Sequence, residues 1–169
     1  MGKKSRDKGS GFERLIASRL GDELGITLRR TPLSGGWALG NTEVSGDIVC
    51  TKPGPAAFPY CVECKNQEGW RLEALFTPQH KWFDAWWAQL LKACQSGRTP
   101  LLIFSRSYTP IFVSFPLEHM IKTPGSDYAE VASLDVGEWN VPYFLVGLDP
   151  LDPPYVVVME LEDFIVHLL

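Results

Sequence analysis

An acid and a lysine stand two residues apart in FPYCVECK (58–65), where Glu63 and Lys65 interrupt a run that otherwise reads as a strand. Side chains alternate along a strand, so Cys61, Glu63 and Lys65 share one face and Val62 and Cys64 the other. With Val62 as the inward residue, Glu63 and Lys65 are expected to look out of the core. The preceding strand, GDIVCT (46–51), opens with Asp47 directly after Gly46. A hairpin between 46–51 and 58–65 would bring Asp47 within reach of Glu63, so that two carboxylates and an ammonium converge at one end of a sheet. Carboxylate oxygens are hard ligands that suit Mg²⁺, an ion that keeps several waters and takes the rest of its shell from a substrate phosphate. Such an ion lowers the pKa of a bound water and neutralises charge on a phosphoryl transition state. A neighbouring lysine suits orientation of the attacking water and stabilisation of the developing negative charge. Glu13, on an early helix, could complete the shell directly or through water. Alone, Glu-x-Lys on a strand is an exposed ion pair and Gly-Asp an ordinary turn. Their combination, in this order and on these elements, is what points to chemistry.

The elements that must hold these residues are legible in outline. GFERLIASRLGDEL (11–24) repeats Phe12, Leu15, Ile16 and Leu20 at helical spacing. Ser10 is the expected N-cap, Glu13 stands at the capping-box position, and Gly25 is the expected stop. Residues 1–10 are expected to form a flexible basic arm. ITLRRT (26–31) reads as a short strand and 32–46 as a glycine-rich loop. Residues 78–96 place Trp82, Phe83, Trp86, Trp87, Leu90, Leu91 and Cys94 in two adjacent rows, a wide apolar helical stripe closed by Gly97 and Pro100. LLIFS (101–105), PIFVSF (110–115), VPYFLVGL (141–148) and YVVVME (155–160) read as strands. Residues 116–141 read as loop and short helix, and LEDFIVHLL (161–169) as a terminal helix. Helix, strand, strand, strand, helix, strand through residue 105 predicts an α/β sandwich around a mixed sheet. The expected division is the arm (1–10), a core (11–115) and a C-terminal extension packed on it (116–169), one domain overall.

Composition narrows the setting. The chain has 169 residues, one domain by size. No apolar run approaches the ~20 residues of a membrane helix, and the basic N-terminus has no apolar stretch behind it, so no secretory signal is expected. A cytoplasmic setting, in a prokaryotic cell or a virus-infected host, is the default expectation. The net charge of −4 is unevenly spread: residues 1–30 balance at +4, 31–106 at +1 and 107–169 at −9. A polyanion would therefore meet the first two-thirds of the chain. Four cysteines include one C-x-x-C, Cys61 and Cys64, which would point to opposite faces of a strand and share no metal. His80, His119 and His167 show no ligand spacing.

GDIV (46–49) and ECK (63–65), with Glu13 ahead of them, resemble the signature of the PD-(D/E)XK nuclease superfamily. Gly46 replaces the usual proline. Within that superfamily, KGSGFER (8–14), RTPLSGG (30–36), VECK (62–65) and the helix leading to LLIFSR are most similar to archaeal-type Holliday-junction resolvases. The likeness covers about residues 8–106 and leaves the tail unaccounted for. It implies a restriction-endonuclease-like α-β-β-β-α-β core. It further implies Glu13, Asp47 and Glu63 as ligands of Mg²⁺, with Mn²⁺ the candidate substitute, and Lys65 as the catalytic lysine. Ser34 would approach the cleaved strand. Lys3, Lys4, Arg6, Lys8 and Arg30 would contact phosphates, and Gln79 matches a helix position that is polar near the site in relatives. The implied substrate is the four-way DNA junction. Two strands related by a two-fold axis must be cut, so a homodimer is implied, with the aromatic helix as one candidate interface and its own sheet as the alternative partner of that helix. Flaps, linear ends or restriction-type sites remain as other DNA substrates, and a non-catalytic nucleic-acid-binding module as a reading from another class.

Overall fold

The first helix is longer than its sequence pattern predicts. Helix α1 spans Lys3–Leu24, so it begins within the stretch expected as a flexible basic arm, and Ser10 lies inside the helix instead of capping it. The structure is a computed structural model that describes residues 3–31, 45–77, 80–94, 97–120, 142–148 and 155–168; of Lys3, Lys4 and Arg6 only the backbone is described. Tertiary packing, more than intrinsic propensity, stabilises such a helix: Phe12, Ile16, Ala17 and Leu20 are buried in one core cluster, and Lys8 ties the N-terminal half to Glu68. The helix stops where expected, with Gly25 at φ 65°.

The strands pair differently from the expected hairpin. Strand β1 (Thr27–Arg30) runs antiparallel to β2 (Ile48–Lys52), with Leu28 opposite Cys50 and Arg30 opposite Ile48. These two strands form their own sheet. Strand β3 (Tyr60–Asn66) instead opens a five-stranded sheet of order β3-β4-β5-β7-β6. It runs parallel to β4 (Thr99–Ser105), with Glu63 opposite Leu102 and Lys65 opposite Phe104. Parallel neighbours need a crossover, and α2 (Lys81–Ala93) supplies it. The predicted α-β-β-β-α-β order and mixed sheet are therefore present; only the partner of β3 is different.

Strand β5 (Phe112–Pro116) continues antiparallel to β4 and leads into a short helix, α3 (Leu117–Met120). Its other neighbour is β7 (Tyr155–Glu160), which in turn pairs with β6 (Tyr143–Gly147). The C-terminal residues thus add strands to the sheet itself, more than an extension laid on it. Helix α4 (Leu161–Leu168) closes the described chain.

Both faces of the sheet are covered. One core cluster joins α1, β1 and β2 to Val62, Ile103, Phe115, Met159 and Phe164. The other joins Phe83, Trp87 and Leu90 of α2 to Trp70, Leu102, Phe104 and Phe112. Phe83 and Trp87 are fully buried and Trp82 and Trp86 half-buried; Trp82 also packs on Trp70 at 5.3 Å between ring centroids. The aromatic helix is thus engaged by the sheet of its own chain.

Candidate active site

Gly46 decides how Asp47 reaches β3. Its backbone has φ 82° and bridges Val62 as a parallel partner. A Cβ at this position would stand 2.4 Å from the Val62 carbonyl oxygen, a separation no side chain tolerates, so glycine is required where the related signature has proline. The close approach lets Asp47 N–H donate to Val62 O at 2.6 Å. In return, Asp47 Oδ2 accepts from Cys64 N–H at 2.8 Å. The same contact covers the outer edge of β3, which no strand of the five-stranded sheet pairs.

Glu63 and Lys65 do not look out of the core. They are 6% and 9% exposed, because α2 covers the face that the sequence pattern leaves open. Lys65 Nζ donates to Glu63 Oε1 at 2.6 Å and to Gln89 Oε1 at 2.9 Å. Gln89 Nε2 donates to the same Glu63 oxygen at 2.7 Å. An acid, a lysine and an amide thus form a closed triangle. Gln89 was missed in the sequence because it lies on the exposed flank of an aromatic helix, with no spacing that ties it to Glu63.

Glu13 faces the site from α1 and is ion-paired with Arg30 of β1, so Arg30 is held at the site's edge by an acid. Glu63 and then Glu13 raise the Asp47 carboxyl further after burial has done so, lifting it from 3.8 to about 7; Cys64 N–H and Lys65 pull the other way. Lys8 bonds Glu68, just past the end of β3. Lys3, Lys4 and Arg6 occupy the first turns of α1, and Ser34, Gln79 and the side chain of His167 lie outside the described residues. Cys61 and Cys94 belong to the α2 core, while Cys64 packs on the opposite face in the α1 core. His119 bonds the Tyr60 hydroxyl at 3.2 Å and His80 pairs with Asp84.

The donor chemistry suits a hard divalent cation: carboxylate oxygens from α1, the Gly46–Asp47 turn and β3. As they stand, no three His, Cys, Asp or Glu side chains among the described residues form a closed ligand cluster, because Glu13 is turned onto Arg30 and Glu63 onto Lys65 and Gln89. Asp47 Oδ1 and Glu63 Oε2 make no hydrogen bond among the described residues. Two neighbouring acids therefore each keep an open oxygen in a site that already strains to hold their charges together, and the residues fit a cation in kind.

Residues 4–137 match the family described as "Phage putative PDDEXK endonuclease". No curated protein and no solved structure matches the chain. Nucleases of the PD-(D/E)XK type generally use divalent metals and act on DNA, in keeping with the carboxylate donors described above. The match spans α1 to β5 and so includes Glu13, Asp47, Glu63 and Lys65: the chain belongs to the phage PD-(D/E)XK endonuclease family.

Proposed function

We propose that this endonuclease is Mg²⁺-dependent, cuts four-way DNA junctions as a homodimer, and uses Glu13, Asp47 and Glu63 as ligands and Lys65 as its catalytic lysine. The observation that carries the site is the buried Lys65 beside Glu63, with Asp47 fastened to the backbone of the same strand. A bound divalent ion supplies a water of lowered pKa and positive charge against the phosphoryl oxygens. An ammonium has three N–H donors. Glu63 and Gln89 take two, which leaves one for the attacking water or a phosphate oxygen. Gln89 keeps that direction constant by gripping both partners. Burial of the pair excludes bulk water and strengthens the field at the phosphate. Ser34 is assigned to the cleaved strand, and Lys3, Lys4, Arg6, Lys8, Arg30 and Gln79 to phosphate contacts, which position DNA without reading sequence. The junction itself rests on the resemblance of residues 8–106 to resolvases. Among the described residues no helix is long and apolar enough to cross a membrane.

The test is cleavage of a labelled four-way junction beside a linear duplex of the same sequence, with Mg²⁺ or EDTA, by wild type, Lys65→Ala and Glu63→Ala. Paired symmetric cuts in the junction alone, abolished by EDTA and by both substitutions, support the whole proposal. Equal cutting of the duplex removes the junction and leaves the site. No metal-dependent cutting of either substrate overturns the catalytic assignment.

A further inference from the structure

Tyr108 is fully exposed yet has φ 63°, a backbone region that bulky residues rarely occupy. It is the third residue of the turn Arg106–Thr109, closed by Thr109 N–H on the Arg106 carbonyl at 3.4 Å. A positive φ at that place ordinarily takes glycine or asparagine. Among the described residues the ring packs on nothing, so folding gains no contact there in return for the unfavourable backbone.

The turn is nonetheless held firmly. Arg106 N–H donates to Thr109 Oγ1 at 3.2 Å. Ser107 donates to Glu68 Oε1 through both its N–H, at 3.2 Å, and its hydroxyl, at 2.7 Å. Gln67 N–H reaches the Ser105 carbonyl at 3.2 Å. The Arg106 guanidinium lies 5.3 Å from the centre of the Trp70 ring. A rigid mount thus presents an aromatic ring that the fold itself does not use.

The mount stands beside the candidate active site. Because β3 and β4 run parallel with Lys65 opposite Phe104, the turn after β4 lies at the sheet end toward which Glu63 and Lys65 lead. Glu68, which grips the turn, follows Lys65 by three residues, a reach of at most ~10 Å. Lys8 joins Glu68 and Ser107 from α1, so the turn that carries the ring is tied to α1 as well as to the end of β3.

We propose that Tyr108 is a stacking platform for a nucleobase of the DNA substrate at the point where strands separate. This rests on the reading of the chain as a nuclease of branched DNA. An exposed aromatic face held on a fixed turn fits an unstacked base. A base inside a continuous duplex has both faces occupied by its neighbours and offers no room for the ring. Tyr108 therefore favours branched over linear DNA.

The test is equilibrium binding by the full chain in EDTA, where cutting is not needed. The probes are a four-way junction with 2-aminopurine beside the branch and a linear duplex of the same sequence. Tyr108→Gly relieves the backbone while removing the ring, so its thermal stability should equal or exceed wild type. Tyr108→Gly and Tyr108→Ala should weaken junction binding about 10-fold and leave duplex binding unchanged. Tyr108→Phe should bind as wild type, and only wild type and Phe should quench the 2-aminopurine. Equal junction affinity in wild type and Tyr108→Gly, or an equal loss on junction and duplex, overturns the proposal. Loss of Mg²⁺-dependent cutting with this binding pattern intact would count against the nuclease assignment and leave the stacking role standing.

Discussion

Two lysine–glutamate pairs lie along one stretch of chain: Lys65 with Glu63 within β3, and Lys8 with Glu68 just past its end. Their contacts are nearly equal, 2.6 and 2.5 Å. Each acid also accepts further hydrogen bonds, Glu63 from Gln89 and Glu68 from Ser107. They differ in solvent. The side chains of Lys65 and Glu63 are 11% and 8% exposed, those of Lys8 and Glu68 38% and 57%. Burial of two charges carries a desolvation cost that their attraction only offsets when every partner is present, whereas an exposed pair is screened and contributes little. Distance therefore does not rank these pairs. The buried one is expensive to keep and sits where the proposed chemistry needs it; the exposed one is a local fastening for the Tyr108 turn.

The sharpest way to break this comparison is to remove one buried partner. Glu63→Ala leaves Lys65 charged and half-partnered, and should cost about 3–5 kcal/mol in urea denaturation together with all cleavage. The double variant Glu63→Leu/Lys65→Met should regain most of that stability and remain inactive. A double variant as unstable as the single one would mean that the pair is there for stability, and the contrast with Lys8–Glu68 would fall. Gly46→Ala acts on the same site without touching a charge. Its Cβ meets the Val62 carbonyl, so a loss of about 1–3 kcal/mol is expected, with cleavage lost as Asp47 is pushed from Cys64.

Much of this region was legible from residue type and order. The strands, the aromatic helix and the stop at Gly25 followed from periodicity, and the Gly-Asp and Glu-x-Lys spacing put forward Asp47, Glu63 and Lys65 as candidates, which the fold gathers on and beside β3. What failed were the inferences that needed a third dimension. The turn at 53–57 made a β2–β3 hairpin look natural, yet β2 takes β1 and β3 takes β4, pairings that no local turn signal announces. Two charged residues made one face of β3 look solvated, and only the crossing of α2 buries it. Gln89 and Tyr108 carry no local signature: one matters through its reach onto β3, the other through a backbone angle.

Gln89→Ala probes the buried triangle more gently. It removes two hydrogen bonds but no charge, so about 1–3 kcal/mol of stability should be lost. Misdirection of Lys65 should lower kcat about 10- to 100-fold, with KM for DNA nearly unchanged. A KM effect alone would place Gln89 in DNA binding. Asp47 gives a pH signature of the same site. Its carboxyl is raised from 3.8 to about 7, so between those values the folded state holds a proton that the unfolded chain has released. Stability in EDTA should accordingly carry a component that falls as pH rises from about 4 to about 7 and levels off above. Asp47→Asn keeps an acceptor for Cys64 N–H and should remove that component. Thermal midpoints of both proteins across this window check it; parallel curves would assign the slope to other groups.

The smallest effect should come from the exposed pair. Lys8 and the two Ser107 donors hold the Glu68 carboxyl down to about 2 from 4.5, which taken alone reads as a strong interaction. A depressed carboxyl adds stability above its unfolded value and loses it as pH falls toward 2, but solvent around Glu68 screens most of that gain. Glu68→Gln keeps an oxygen for Ser107 and removes only the charge. Its urea midpoint at neutral pH should match wild type, and Mg²⁺-dependent cleavage should persist. Its visible consequences should be a looser 106–109 turn, read as faster amide exchange at Ser107 and Thr109, and a small loss of junction binding through the less firmly held Tyr108. A fall in stability comparable to that of Glu63→Ala would show that partner number, not burial, sets the weight of a lysine–glutamate pair in this fold.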